Sequence, residues 1–295
     1  MADYLVKSLV YGGQLRAYAV DATETVKKAQ EIHDTWSAAS AAFGRSLVAT
    51  LMIAAGELSD EEKMTVRING DGPIGGIVID GNAKGTVKGY VQNPHVHLKL
   101  NDSHKIDVKG AVGTSGFLSV TKDLGLKQPF TGQVPLVSGE LGEDFTYYLA
   151  KSEQIPSAVG LSVFVEDDNS IGSAGGFIIQ VMPDATEEVL NDLEKKLAQL
   201  PMVSEMMHEQ NKTPEEILFE IFPKEEVKIL DKMPVAYECD CSKDRFATAL
   251  ASLPKEDIQE MIDKDHGAEA VCHFCGSKYQ FNEEELTKIM QDARN

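Results

Sequence analysis

The chain has 295 residues, 42% of them hydrophobic, and sets 28 Lys and Arg against 47 Asp and Glu for a formal charge of −19. That length leaves room for one large domain or two to three smaller ones with a real core. The acidic balance speaks against a nucleic-acid partner, whose phosphates are met by Lys and Arg, and it holds along the whole chain: 15 basic against 21 acidic residues over 1–183, 5 against 13 over 184–231, and 8 against 13 over 232–295.

The opening M-A-D-Y-L-V-K has no charged n-region leading into an apolar h-region, so no secretory signal is expected. The longest apolar stretch, 46–55, falls short of the roughly 20 residues that cross a bilayer. The expectation is a soluble, cytoplasmic protein with no membrane partner, in a compartment that keeps thiols reduced.

Residues 5–11 and 15–20 read as two strands of a hairpin around Gly12-Gly13. Residues 35–57 are alanine-rich and repeat Trp36, Phe43, Leu47 and Leu51 at helical spacing. From Lys63 the texture changes. Met64, Val66 and Ile68 alternate, 77–79 follow a G-D-G-P turn, and 87–91 precede Asn-Pro. Further β texture is expected at 145–149, 161–165 and 177–182. Helices with glycine-punctuated antiparallel strands make an α+β core domain over 1–183.

Residues 184–231 read as an amphipathic helical linker. Leu190, Leu193, Leu197 and Leu200 share one face of the first helix, and Met202, Val203, Met206 and Met207 form a soft apolar cluster after Pro201. A second helix starts at T-P-E-E-I-L, with Thr213 as N-cap, Pro214 at the first position and Glu216 completing a capping box. Its apolar face is Ile217, Leu218, Ile221 and Phe222. Helices this short are marginal alone in water and need a surface to lie on.

All four cysteines fall in the last zone, 232–295, as C-D-C (Cys239, Cys241) and C-H-F-C (Cys272, Cys275). Two close pairs separated by a helix-sized insert, with no spare cysteine, form the pattern of a tetrahedral zinc site in which each knuckle gives two thiolates. Free thiols in a core and two short disulfides are the alternatives. Helices are expected at 242–253 and 254–264, a strand at S-K-Y-Q-F, and a final helix capped by Asn282 and Glu285. Few large apolar residues lie here, so the module needs a staple, and one Zn²⁺ per chain is the expected one. Gly276, after the second pair, is suited to a left-handed turn.

Other candidate sites are weak. G-D-G-P-I-G-G lacks the Lys-Ser/Thr of a phosphate loop. His95 and His97 would share a face on a strand but lack a third ligand, and His273 competes with four cysteines that already fill a tetrahedron. Glu140, Glu143 and Asp144 read as a solvated loop. No nucleophile motif marks an active site, so no enzyme is expected. A zinc-dependent hydrolase would need an open metal position.

The paired cysteines, together with Y-L-V-K-S-L, H-D-T-W, A-F-G-R, G-D-G-P-I-G, V-G-T-S-G, K-D-L-G-L, F-T-G-Q-V, D-F-T-Y-Y-L-A-K-S-E-Q-I-P-S and G-G-F-I-I-Q, resemble the heat-shock protein 33 family of redox-regulated chaperones over essentially the whole chain. The resemblance implies a cytoplasmic, ATP-independent holdase for unfolded client proteins, inactive while reduced and zinc-bound. It further implies that oxidation closes Cys239 with Cys241 and Cys272 with Cys275, releases zinc and unfolds the linker. The active form would be a homodimer that hands clients to ATP-driven chaperones. A zinc-ribbon module recruiting a nucleic-acid machine is the alternative, against which the charge speaks.

Overall fold

A computed structural model describes residues 2–292. The chain forms two compact units, one ending at Glu238 and the other beginning at Cys239. In chain order the first holds β1 (Tyr4–Val10), β2 (Leu15–Asp21), α1 (Thr23–His33), α2 (Ser37–Glu57), β3 (Lys63–Asn69), β4 (Gly76–Asn82), β5 (Thr86–Val91), α3 (Val108–Val112), β6 (Phe117–Asp123), β7 (Phe130–Pro135), α4 (Gly142–Lys151), β8 (Ser157–Val165), β9 (Ile171–Val181), α5 (Glu187–Gln199), a π-helical turn (Glu205–Glu209), α6 (Pro214–Ile221), β10 (Val227–Pro234) and β11 (Ala236–Tyr237). The second holds α7 (Lys243–Leu250), α8 (Lys255–Asp263), β12 (Gly267–Val271), β13 (Lys278–Asn282) and α9 (Glu283–Asp292).

The first unit is built around α2. A five-stranded sheet ordered β10-β1-β2-β9-β8 lies on one side of this helix and a six-stranded sheet ordered β11-β5-β4-β3-β6-β7 on the other. A helix pressed between two sheets must be apolar all round, which explains the alanine-rich run. By length and hydropathy its 21 residues would also pass for a membrane span, longer than the stretch 46–55 suggests. Here 94% of the apolar window is buried, with Phe43, Leu47, Leu51 and Met52 in the core.

The expected hairpin is present, with Gly12 at φ +66° in its turn. Met64, Val66 and Ile68 point inward from β3 as their alternation requires.

Two expectations near residue 145 are overturned. Residues 145–149 form the middle of α4, where Phe145, Tyr148 and Leu149 are buried at helical spacing. Asp144, expected in a solvated loop, is 0% exposed. Its carboxylate accepts from the backbone N–H groups of Val137 (2.7 Å), Ser138 (3.1 Å) and Leu141 (2.9 Å), fixing the chain that enters α4. Glu140 pairs with Arg45 at 2.9 Å. An Asp144→Ala change strands those donors, so it is expected to destabilise the first unit by about 2–4 kcal/mol. A urea melt followed by Trp36 fluorescence measures this, and a loss under about 0.5 kcal/mol, the scatter of surface substitutions, would refute the buried cap.

The five-stranded sheet is covered on its second face as well. There Val6, Val10, Leu15, Ala17, Ala19, Phe177 and Ile179 pack against Leu193, Val203, Met206, Met207, Ile217, Leu218, Ile221 and Phe222. The short helices α5 and α6 therefore have the surface they need. The Thr213 cap is present in full, since its Oγ1 accepts from Glu216 N while Glu216 accepts from Thr213 N. After α6 and a 3-10 turn at Lys224–Glu226 the rest of the expected helical linker is a strand: β10 runs antiparallel to β1 at the sheet edge, from Val10 opposite Val227 to Tyr4 opposite Pro234.

Candidate metal centre

The second unit places its two cysteine pairs by simple local means. Cys239 and Cys241 lie in the extended segment before α7, whose N-terminus is held by Ser242 accepting from Arg245 N. Asp240, between them, pairs with Arg245 at 2.6 Å. Cys272 and Cys275 sit on the turn of the β12–β13 hairpin, where Val271 pairs with Lys278. Cys272 N donates to Ser277 O and Gly276 N donates back to Cys272 O, closing a tight knuckle. Gly276 has φ +70°, the left-handed conformation expected of it. At the start of α9 the side chains of Asn282 and Glu285 each accept the other's backbone N–H, again as expected.

The four sulfurs converge. All lie within 4.8 Å of one another, with Cys239 Sγ 3.7 Å from Cys272 Sγ and Cys241 Sγ 3.3 Å from Cys275 Sγ. A tetrahedron with metal–sulfur bonds near 2.3 Å has edges of about 3.8 Å, so this donor set fits one thiophilic ion. All four cysteines are free thiols, Cys272 being the most buried at 4% exposure. Among the described residues this is the one group of three or more His, Cys, Asp or Glu able to share an ion. His273 is exposed and outside it. His95 and His97 make no pair: His95 lies 3.1 Å from Asp34, and His97 Nδ1 lies 2.8 Å from Ser37 Oγ, on a segment that is not a strand.

The thiols are electrostatically unequal. Burial pushes Cys239 and Cys272 up from the usual thiol range. Burial also opposes ionisation of Cys275, but hydrogen bonding with the Ser277 side chain and backbone, and with Cys241 and Cys272, brings it down to about 7. Tyr279, which the sequence reading missed, donates its hydroxyl to Cys241 O at 3.1 Å and lies 3.2 Å from Cys241 Sγ. That sulfur, then burial, raise its phenol to about 12. Its ring packs on Phe246, tying α7 to the second knuckle. The core beneath is small: Ile258, Phe281 and Leu286 are its buried members.

The comparisons with known proteins agree with this architecture. The family model described as Hsp33 protein matches residues 3–282. The 33 kDa chaperonin of Lactiplantibacillus plantarum is 67% identical over 294 residues, covering 100% of this chain and 99% of its own length. The 33 kDa chaperonin of Enterococcus faecalis is 54% identical, covering 99% of this chain and 98% of its own. The crystal structure of the 33 kDa chaperonin from Thermotoga maritima matches with a TM-score of 0.91 at 36% identity, over 99% of both chains. These relatives are chaperones and not enzymes, and they do not favour a zinc ribbon recruiting a nucleic-acid machine. The chain belongs to the heat-shock protein 33 family of chaperones.

Proposed function

We propose that this chain is a redox-regulated, ATP-independent holdase. In the quiet, reduced form Cys239, Cys241, Cys272 and Cys275 hold one Zn²⁺ per chain. The observation that carries this reading is the convergence of four thiols within 4.8 Å in a module with so small a core. Zn²⁺ bound there supplies a cross-link between the knuckles and keeps all four sulfurs as thiolates.

Thiolates are what peroxide and hypochlorous acid attack. Each cysteine pair loses two electrons on closing its S–S bond, and the oxidant is reduced to water, or to chloride and water. The pairing Cys239 with Cys241 and Cys272 with Cys275 follows the family resemblance. It requires each knuckle to close on itself, because the 3.3 Å and 3.7 Å sulfur approaches run between knuckles. Two disulfides leave no thiolate ligands. No residue would then be left to hold the ion, and a module this thinly packed would unfold without that staple.

The module begins at Cys239, immediately after Glu238, whose N–H donates to Val87 O beside the two-residue β11. Its unfolding loosens the chain that leads back through β10 to the helices of 184–226. Their release uncovers the apolar face of the five-stranded sheet together with their own leucines and methionines. Apolar patches of that kind bind unfolded chains, and the acidic outer faces keep the opened protein soluble. The active form is a cytoplasmic homodimer that passes clients to ATP-driven chaperones.

The test is light scattering by a heat-denatured client. Oxidised, metal-free protein is expected to suppress aggregation without ATP, and reduced, zinc-loaded protein to leave it unchanged. Equal protection by both forms would reduce the cysteine centre to a structural staple.

A further inference from the structure

Three methionines in the helical segment take no part in the thiol chemistry. After Pro201 the chain turns into the π-helical turn Glu205–Glu209, in which Gln210 N donates to Glu205 O. A turn this wide brings two consecutive side chains onto strand β9. Met206 is 0% exposed and Met207 7%, whereas Met202, one turn earlier, is 49% exposed. A Cβ placed on Gly175 of β9 would lie 2.6 Å from Met207 Sδ and 2.5 Å from its methyl carbon. The thioether therefore rests directly on strand backbone, with no space for another atom. Met206 packs in the same cluster as Leu193, Ile217 and Phe222.

We infer that Met206 and Met207 are conditional sulfoxidation sites that hold the helical segment off the sheet once it has been released. The inference rests on the redox-switch reading above. While the segment is docked, a two-electron oxygen donor such as peroxide reaches Met202 and not its neighbours. After release, the lone pair of each thioether attacks a peroxide oxygen. An S–O bond forms, the O–O bond breaks, the sulfur is oxidised by two electrons and the peroxide leaves as water. Re-docking must then bury a strongly polar S=O in a cluster whose side chains are apolar and offer it no donor, and for Met207 against the Gly175 backbone. Thiol reductants and zinc rebuild the cysteine centre but leave the sulfoxide, whose reversal needs a methionine sulfoxide reductase. The segment thus keeps a record of severe oxidation that outlasts the disulfides.

Peptide mass spectrometry of the full-length protein during peroxide treatment gives the first readout. Sulfoxide at Met202 is expected from the start, and at Met206 and Met207 only after disulfide formation. Oxidation of all three together, ahead of the disulfides, would overturn conditional access. The oxidised protein is then returned to dithiothreitol and zinc. Molecules carrying sulfoxide at 206 or 207 are expected to be cleaved within 184–226 about fivefold faster or more than unmodified ones, about fivefold being the low end for an unpaired buried polar group. Methionine sulfoxide reductase should restore protection. A Met206→Leu/Met207→Leu variant, which keeps the apolar volume without an oxidisable sulfur, should recover with thiol reduction alone. A segment that stays protease-resistant with both disulfides formed would overturn the switch, and conditional access with it. The latch itself is decided apart from the switch by oxidising the methionines in urea and refolding with dithiothreitol and zinc. Equal protection of wild type and the double leucine variant there would overturn it.

Discussion

Replacing Cys272 with serine is expected to abolish stoichiometric zinc binding and melt the C-terminal unit while the first unit keeps its fold. Cys272 is the most buried of the four sulfurs. A serine hydroxyl is a poor ligand for a thiophilic ion and does not ionise at neutral pH, so the site drops to three ligands and loses its closed shell. Structural zinc can contribute on the order of 10 kcal/mol to the folding of a small module, more than a core of this size supplies. The buried members of that core are Ile258, Phe281 and Leu286, whereas the first unit has its own two-sheet core around α2. Elemental analysis of the purified variant gives the metal content, and limited proteolysis locates the unfolding. A variant that still carried one zinc per chain would place the metal elsewhere. One that lost zinc yet kept residues after Cys239 protected would remove the link between metal and fold on which the switch depends.

The parts of this protein that are legible in sequence are those whose signal is local. The cysteine knuckles, the left-handed Gly276, the Thr213 capping box, the Asn282 cap and the alternation of β3 all follow from residues within a turn of one another. The failures have a common physical source. F-T-Y-Y-L at 145–149 has the aromatic and β-branched composition of a strand, but burial at Phe145, Tyr148 and Leu149 follows the spacing of three and four residues that marks a helix. Asp144 commits the chain to that helix through backbone N–H donors it finds only in the folded loop. Strand β10, V-K-I-L-D-K-M-P, is largely exposed and charged, and it exists because β1 presents an unpaired edge 217 or more residues earlier in the chain, as the pairing of Val10 with Val227 shows. Tyr279 could be found only by knowing that the hairpin returns it to Cys241. The linker shows the same limit. Its amphipathic faces are plain in sequence, but which sheet they cover is a long-range fact.

Replacing Ile217 with glutamate is expected to make the chaperone active without oxidation. Ile217 is 0% exposed on the inner face of α6, packed with Leu218, Ile221 and Phe222 on the second face of the five-stranded sheet. Its burial contributes roughly 1.5–3 kcal/mol, and a carboxylate in its place adds the cost of an unpaired charge in an apolar cluster, for a total loss of several kcal/mol. Helices as short as α5 and α6 do not persist without their docking surface, so the segment 184–226 should come free while the core around α2 stays intact. The cysteine centre is untouched by the change, which separates release of the segment from the redox event proposed to trigger it. Reduced, zinc-loaded Ile217→Glu protein should therefore suppress client aggregation as oxidised wild type does, show rapid cleavage within 184–226, and retain one zinc per chain. Fluorescence of Trp36, the single tryptophan and the N-cap of α2, checks that the two-sheet core remains folded. The conservative Ile217→Val change, a loss of about 0.5–1.5 kcal/mol, should leave the segment docked and the reduced protein quiet. If Ile217→Glu frees the segment and the protein still fails to protect clients, the apolar face beneath α5 and α6 is not the client surface, and oxidation must act through some other part of the chain.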